Sequence, residues 1–265
     1  MGFCLLLFLM ISASLSTYMM GNGIRERIVV QELPAVVGEI RNDILRQISE
    51  PLASSLSVAN NTFLLDWEKQ GLPDTGIDAW QRYSKLLKDK LKAATVFWVS
   101  GTSGKYFNEA GLNRTLSRDA ASDQWFYSFL SGGKPYTLDI DKDVGSNAYM
   151  LFINASFDAD GKKGVTGLGL PVDALAHAIR SYHIGKSGFV YLVRANGSLL
   201  IHKDPALVDG KHFLKDLPGF NEALSKQLLN QGKFTHAGYT SPQGTQIVAS
   251  SYVPELNLYV IAEMP

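Results

Sequence analysis

At 265 residues the chain has room for more than one domain of the usual size, about 100–150 residues, and 46% hydrophobic against 19% charged residues excludes a disordered chain. Lys plus Arg (25) equals Asp plus Glu (25), so the formal net charge is zero, and the clustered basic excess of a nucleic-acid-binding surface is missing. The single cysteine, Cys4, excludes an internal disulfide, CxxC redox chemistry and a cysteine-based zinc site.

The first element is GFCLLLFLMISASLSTYMM, residues 2–20, which carries no charge. A bilayer core needs about 20 such residues, so 1–21 is expected to be a transmembrane anchor. A cleaved signal segment is the alternative, with Ser12, Ala13, Ser14 and Ser16 as small residues near a cleavage point. Either sends the rest of the chain across the membrane.

Residues 24–50 show apolar positions at helical spacing (Ile28, Val29, Leu33, Val36, Val37, Ile40, Ile44, Leu45, Ile48). Pro34 is expected to bend or break this helix, and Pro51 to open a second helical stretch that stops at Gly71 before Pro73. Residues 22–59 are assigned to the long N-terminal helix. DTGIDAWQRYSKLLKDKLKAA is a third helix, apolar through Ile77, Trp80, Tyr83, Leu86, Leu87 and Leu91. TVFWVS then reads as a strand, GTSG as a turn and KYF as the returning strand.

SDQWFYSFL, residues 122–130, has helical spacing but places Trp125, Phe126, Tyr127 and Phe129 within five positions, so it buries more than one face. PYTLDI, AYMLFINASF and KGVTGLGLPV are strands separated by Asp, Gly and Asn turns, and DALAHAIRSYHIG is a helix closing on Gly185. The pattern then restarts. GFVYLVRANGSLLIH is a hairpin, DLPGFNEALSKQLLNQG a helix, and FTHAGYT, TQIVASSYV and NLYVIAEM are three strands. Hairpins with short connections imply antiparallel sheets with helices packed on them, an α+β architecture.

Several motifs carry no chemistry on inspection. GTSGK at 101–105 lacks the glycine spacing of a phosphate loop and is followed by Tyr106, so it is a hairpin turn. DIDKDVG at 139–145 resembles a calcium loop, but Gly145 is one place late and Met150 stands where the bidentate Glu belongs. His177, His183, His202, His212 and His236 have no paired metal spacing, and no GxSxG elbow occurs. No metal, no cofactor and no catalytic residue is expected, and the segment is not expected to be an enzyme.

Five stretches in order resemble the double Cache (dCache_1) sensor domain of bacterial transmembrane receptors: PLASSLSVANNTFLLDWEKQGLPD, TVFWVSGTSGKYFNEAG, DQWFYSFLSGGKPYTLDID with LFINASF and GVTGLGLPVDAL, GKSGFVYLVRANGSLLIHKDPALVDG, and LNLYVIAEMP. The resemblance implies a long N-terminal helix and two PAS-like modules with antiparallel sheets. The membrane-distal module, 60–184, would hold the ligand, and 185–265 would be membrane-proximal. It further implies an extracytoplasmic small-molecule sensor in the bacterial inner membrane, facing the periplasm or the outside. The missing effector would be a chemotaxis, diguanylate cyclase, histidine kinase or phosphatase module. A homodimer through the N-terminal helix is implied, with Val29, Leu33, Val36, Ile40 and Ile44 as its apolar stripe. The alternative function is a periplasmic interaction module that binds a protein partner and no small ligand.

By the same resemblance the ligand-binding candidates are Trp125, Phe126 and Tyr136, then Asp123, Tyr127, Asp139, Asn154 and Arg118. Aromatic walls offer large rigid contact area, and a Tyr hydroxyl or Trp indole fixes orientation. Plain core packing is the competing role for the aromatics, and helix capping, in competition with Ser122, for Asp123. Amino-acid-binding members carry a Tyr, an Arg two places before a Trp-Tyr pair, and a downstream Asp. Here Arg118, Asp123 and Gly169 stand at the Tyr, Arg and Asp positions, so a free amino acid held in the usual manner is not expected unless Arg118 or Arg114 reaches its carboxylate. Asp123 beside Trp125 would instead favour a cationic amine.

Overall fold

The computed structural model describes residues 31–143, 148–184, 187–208, 210–232 and 234–265. The apolar segment 2–20, Cys4 and Val29 lie outside the described residues, and no described helix is long and apolar enough to cross a membrane. The chain divides into two compact units, one of residues 44–177 and one of residues 178–265 with the described residues up to Asp43.

Helix α1 (Leu33–Ala59) runs without interruption through Pro51. Pro34 sits in its first turn, where a missing N–H costs nothing. Pro51 removes one helical hydrogen bond at a cost of about 3 kcal/mol, but the freed carbonyl belongs to Gln47, which is exposed to water. Burial of Leu33, Ile40, Ile44 and Ile48 along one side, at about 1.5–3 kcal/mol for each such side chain, outweighs that cost. The stretch expected to open at Pro51 is therefore continuous with the helix before it, and the break falls at Asn60 and Asn61. The Asn61 side chain accepts from the Phe63 and Leu64 N–H groups and starts α2 (Thr62–Lys69). Helix α3 (Ile77–Leu91) follows and ends on Lys92 in the left-handed conformation.

The first unit is built on a six-stranded antiparallel sheet of β1 (Thr95–Ser100), β2 (Lys105–Asn108), β3 (Gly111–Thr115), β4 (Tyr136–Lys142), β5 (Tyr149–Ala159) and β6 (Lys162–Pro171), in the order β3-β2-β1-β6-β5-β4. One side of this sheet is anchored by tryptophans. Trp98 stacks on Phe157 at 3.8 Å, and its indole donates to the buried Glu68 of α2 at 3.0 Å. Ser100 Oγ donates to the same carboxylate at 2.6 Å. Trp80 of α3 donates to the Asn108 carbonyl at 2.7 Å. Each indole N–H thus finds an acceptor where it leaves water.

Helix α4 (Gln124–Gly132) lies on the other side of the sheet, and α5 (Val172–Ser181) follows β6. The second sheet contains β7 (His183–Ile184), β8 (Gly188–Arg194), β9 (Leu199–Ile201), β10 (Thr235–Ser241), β11 (Gly244–Val253) and β12 (Leu258–Met264). Its order is β10-β11-β12-β8-β7, with β9 paired to β8, and every pairing is antiparallel. Short helix α6 (Glu222–Leu228) covers a core of Tyr191, Val193, Leu199, Leu214, Leu228, Val248, Tyr259 and Ile261. The α+β architecture expected from the sequence is the one observed.

Candidate functional site

Directly paired residues in an antiparallel ladder point to the same side of the sheet, and alternate residues along a strand share that side. Asn154 of β5 pairs with Gly167 of β6, which pairs with Phe97 of β1. On its other flank Asn154 pairs with Thr137 of β4, and Phe152 pairs with Asp139. Val99, on the side of Phe97, pairs with Tyr106, and Tyr106 with Arg114. One face therefore carries Arg114, Tyr106, Phe97, Phe152, Asn154, Thr137 and Asp139 from five strands, with Gly167 of β6 between Phe97 and Asn154.

Helix α4 packs on this face. Phe126 and Phe129 join Phe97, Val99, Leu116 and Val165 in one buried cluster, with Trp125, Tyr127, Leu130, Tyr106 and Phe152 half-buried against it. Phe126 is fully buried, held edge-on between Trp125 at 5.8 Å and Tyr127 at 5.1 Å. Trp125 meets the edge of Phe97 at 6.1 Å. Phe126 is thus enclosed in this cluster, whereas Trp125 and Tyr127 keep part of their surface free.

Two glycines shape the middle of the face. A Cβ at Gly167 would lie 1.8 Å from the Ile153 carbonyl oxygen and 3.2 Å from the Phe97 ring; one at Gly169 would lie 3.2 Å from the Phe152 ring and 3.1 Å from Thr95 Cγ2. The two phenyl rings lie close over bare backbone; at Gly167 the Ile153 carbonyl leaves no room for a Cβ, whereas at Gly169 the neighbours would have to give by a few tenths of an ångström.

The charged groups stand at opposite ends. Asp123 is buried and spent: it pairs with Arg114, accepts the Ser117 N–H at 2.9 Å and accepts the Ser122 hydroxyl at 3.2 Å. Burial pushes its carboxyl up, but the Ser117 N–H and the Arg114 guanidinium outweigh this and hold it below the ordinary value. Asp123 occupies the N-cap position of α4 without capping the helix through its side chain. Arg118 is exposed and lies over the Tyr127 ring at 4.5 Å. Tyr106 is pushed far up by burial, so it stays a neutral hydroxyl.

At the far end, Asn154 Nδ2 donates to Asp139 Oδ2 at 3.1 Å and to Thr137 Oγ1 at 3.4 Å. Asn154 is buried, while Asp139 is exposed and accepts the Thr137 hydroxyl at 2.5 Å. Buried amide and exposed carboxylate together form a polar edge of acceptor character beside an aromatic wall.

Tyr136 does not share this face. It pairs with Ala155, one residue away from Asn154, so its side chain projects to the opposite side and is 38% exposed. Tyr106, Phe97, Phe152 and Thr137 do share it and were not among the sequence-derived candidates; Arg114, named only as a contact for an amino acid's carboxylate, shares it too. The signal for most of them was the alternation within TVFWVS, YTLDI and LFINASF, read in phase with Asn154.

The Cache domain family profile matches residues 26–265. Among solved structures, the chain is similar to the ligand-binding domain of the Pseudomonas aeruginosa amino acid chemoreceptor PctC, in complex with GABA. The identity is 17% over 88% of this chain and 98% of that one, with a TM-score of 0.67. It is also similar to the ligand-binding domain of the Pseudomonas fluorescens chemoreceptor CtaA in complex with L-serine (19% identity, 91% and 98% coverage, TM-score 0.63). The V. cholerae histidine kinase DctB sensor domain matches at 15% identity, 91% and 98% coverage and a TM-score of 0.65. At these identities the structures speak for the fold, and the profile, matching nearly the whole length, settles the family: the chain belongs to the Cache domain family, in its dCache_1 form.

Proposed function

We propose that this chain is the extracytoplasmic small-molecule sensing domain of a bacterial transmembrane signalling receptor, and that it binds and reports rather than catalyses. The first unit is the membrane-distal, ligand-holding module and the second is membrane-proximal. Segment 2–20 anchors the domain, and the effector is a chemotaxis, kinase, cyclase or phosphatase module. Family membership supports the sensing role. The observation that carries the site is that α4, with Trp125 and Tyr127 half-buried, packs on the sheet face that also carries Phe152, Asn154, Thr137 and Asp139.

The ligand class follows from which charges are spent. Asp123 is neutralised by Arg114, so the carboxylate open to a solute is Asp139, and the cation at the other end is Arg118 on Tyr127. A small amine-bearing solute fits, its ammonium at Asp139 and its body against Trp125. The GABA and L-serine named for PctC and CtaA carry such an amine. For the ligand to signal, it must favour one of two arrangements of the domain.

A homodimer through α1 is part of the proposal, but by a different stripe from the one expected. Leu33, Ile40 and Ile44 are buried within the chain. The flank of Leu45, Leu52 and Leu56 is only half-buried, and a side chain added at Gly38 would meet nothing within 4 Å. Disulfide cross-linking of a Gly38→Cys variant tests this contact.

The test of the sensing role is a thermal-shift screen of the full chain against amines, amino acids, carboxylates and purines. A ligand at 100 times its Kd adds about 2.7 kcal/mol, a readily visible shift. Stabilisation by amine-bearing compounds supports the reading. No stabilisation by any class, together with capture of a protein partner, supports an interaction module instead.

A further inference from the structure

The second unit holds a titratable cluster that the sensing site does not use. Glu263 is the acidic residue of β12, on the helix-covered side of its sheet, and is 8% exposed. Tyr191 of β8 donates to Glu263 Oε1, and Tyr239 of β10 donates to Oε2 at 2.8 Å. Its direct partners in the ladder, Phe189 and Val248, are apolar. After β9, the Lys203 ammonium lies over the Phe189 ring at 3.5 Å, and the His202 ring stands edge-on to Tyr191 at 5.2 Å and to Phe189 at 5.8 Å. Arg180 of α5 donates to the His202 carbonyl, at 3.0 Å. From α6, the sheet-facing residues Leu224, Ser225 and Leu228 bring no charge.

We propose that Glu263, clamped between the hydroxyls of Tyr191 and Tyr239, is a proton-binding site through which the second unit reads the acidity of its surroundings. The geometry suits two charge states. A carboxylate accepts from both tyrosines. A carboxylic acid donates its proton to one tyrosine oxygen and accepts from the other, because a phenol hydroxyl turns to serve either way. No buried polar atom loses its partner in the exchange, so the proton binds without unfolding the cluster. Burial raises Glu263 above its ordinary range, against the opposing pull of the two hydroxyls and of Lys203. Protonation removes the buried charge whose desolvation opposes the fold, at the expense of its attraction to Lys203. His202 works in the opposite sense: burial lowers it, and its Nδ1 accepts the Asp204 N–H, a bond that the neutral ring makes and the protonated ring loses.

The linkage has a definite sign. A carboxyl raised in the folded state contributes stability that is complete below its unfolded value, about 4.5, and is lost as pH rises through its folded value. The test is a carboxyl-carbon NMR titration of the full chain, with Glu263→Gln to assign the resonance. The Glu263 midpoint is expected above 4.5, and Tyr239→Phe is expected to raise it further by removing a donor that favours the charge. A midpoint at or below the ordinary glutamate value overturns the proposal, as does one unmoved by Tyr239→Phe. Thermal unfolding supplies a second readout. The melting temperatures of wild type and Glu263→Gln are expected to converge at pH 4.5, with the variant about 3 °C higher at pH 8 for each unit of displacement. A difference that does not change with pH contradicts it.

Discussion

Arg114 and Asp123 neutralise each other at the entrance to the aromatic helix, with the carboxylate buried and the guanidinium side chain 36% exposed. The guanidinium also lies 5.6 Å from the Tyr106 ring. This pair takes from the site the carboxylate that the sequence offered as a ligand contact, and turns it into a brace between β3 and α4.

Asp123→Ala is accordingly expected to cost about 2–3 kcal/mol of stability, since it strips a charge-assisted bond from Arg114 and leaves the Ser117 N–H unpaired. The effect is read by urea denaturation. Because Asp123 is held below its ordinary value, its contribution is complete above the unfolded value of about 3.8 and is lost as pH falls through the folded value. The gap between wild type and variant should therefore close in acid. A variant of wild-type stability would make Asp123 a free site residue after all.

The two glycines of β6 should differ sharply when replaced. Gly167→Ala drives a methyl into the Ile153 carbonyl, 1.8 Å away, which belongs to the backbone and cannot yield cheaply. A loss of about 3 kcal/mol or more is expected. Gly169→Ala meets a methyl group and a phenyl edge at 3.1–3.2 Å, and should cost about 1 kcal/mol. Thermal unfolding of both variants measures the contrast.

His202 supplies a pH prediction of its own. Burial lowers its pKa, so the unfolded chain takes up a proton more readily than the folded one. Stability from this residue is complete above the unfolded value of about 6.5 and declines as pH falls below it. His202→Phe should flatten the stability profile on the acid side of pH 6.5, measured by denaturant titration at each pH.

Much of the fold was legible in the sequence for a simple reason: β-branched and aromatic runs broken by Gly, Asn and Asp announce strands and turns. TVFWVS became β1 residue for residue. Strand β3, GLNRT, was not legible, because only its first residue is buried and the rest, Leu112 included, lies on an open edge. That α1 holds through Pro51 depends on the burial of Ile44, Ile48 and Val58, which no local rule reveals. The site was legible in its aromatic half. Its polar half depended on register: Tyr136 and Thr137 are neighbours in sequence, yet only Thr137 pairs with Asn154. Glu263 escaped notice because a single acid within NLYVIAEM gives no hint of two tyrosines 72 and 24 residues away.

Calorimetry of one stabilising amine with three variants tests the central claim most directly. Trp125→Ala and Asn154→Ala, on the helix-covered face, are each expected to weaken binding at least about tenfold, 1.4 kcal/mol. Tyr136→Ala, on the opposite face, should bind as wild type does. Equal losses in all three, or a loss confined to Tyr136→Ala, would contradict a ligand held between the aromatic helix and the sheet.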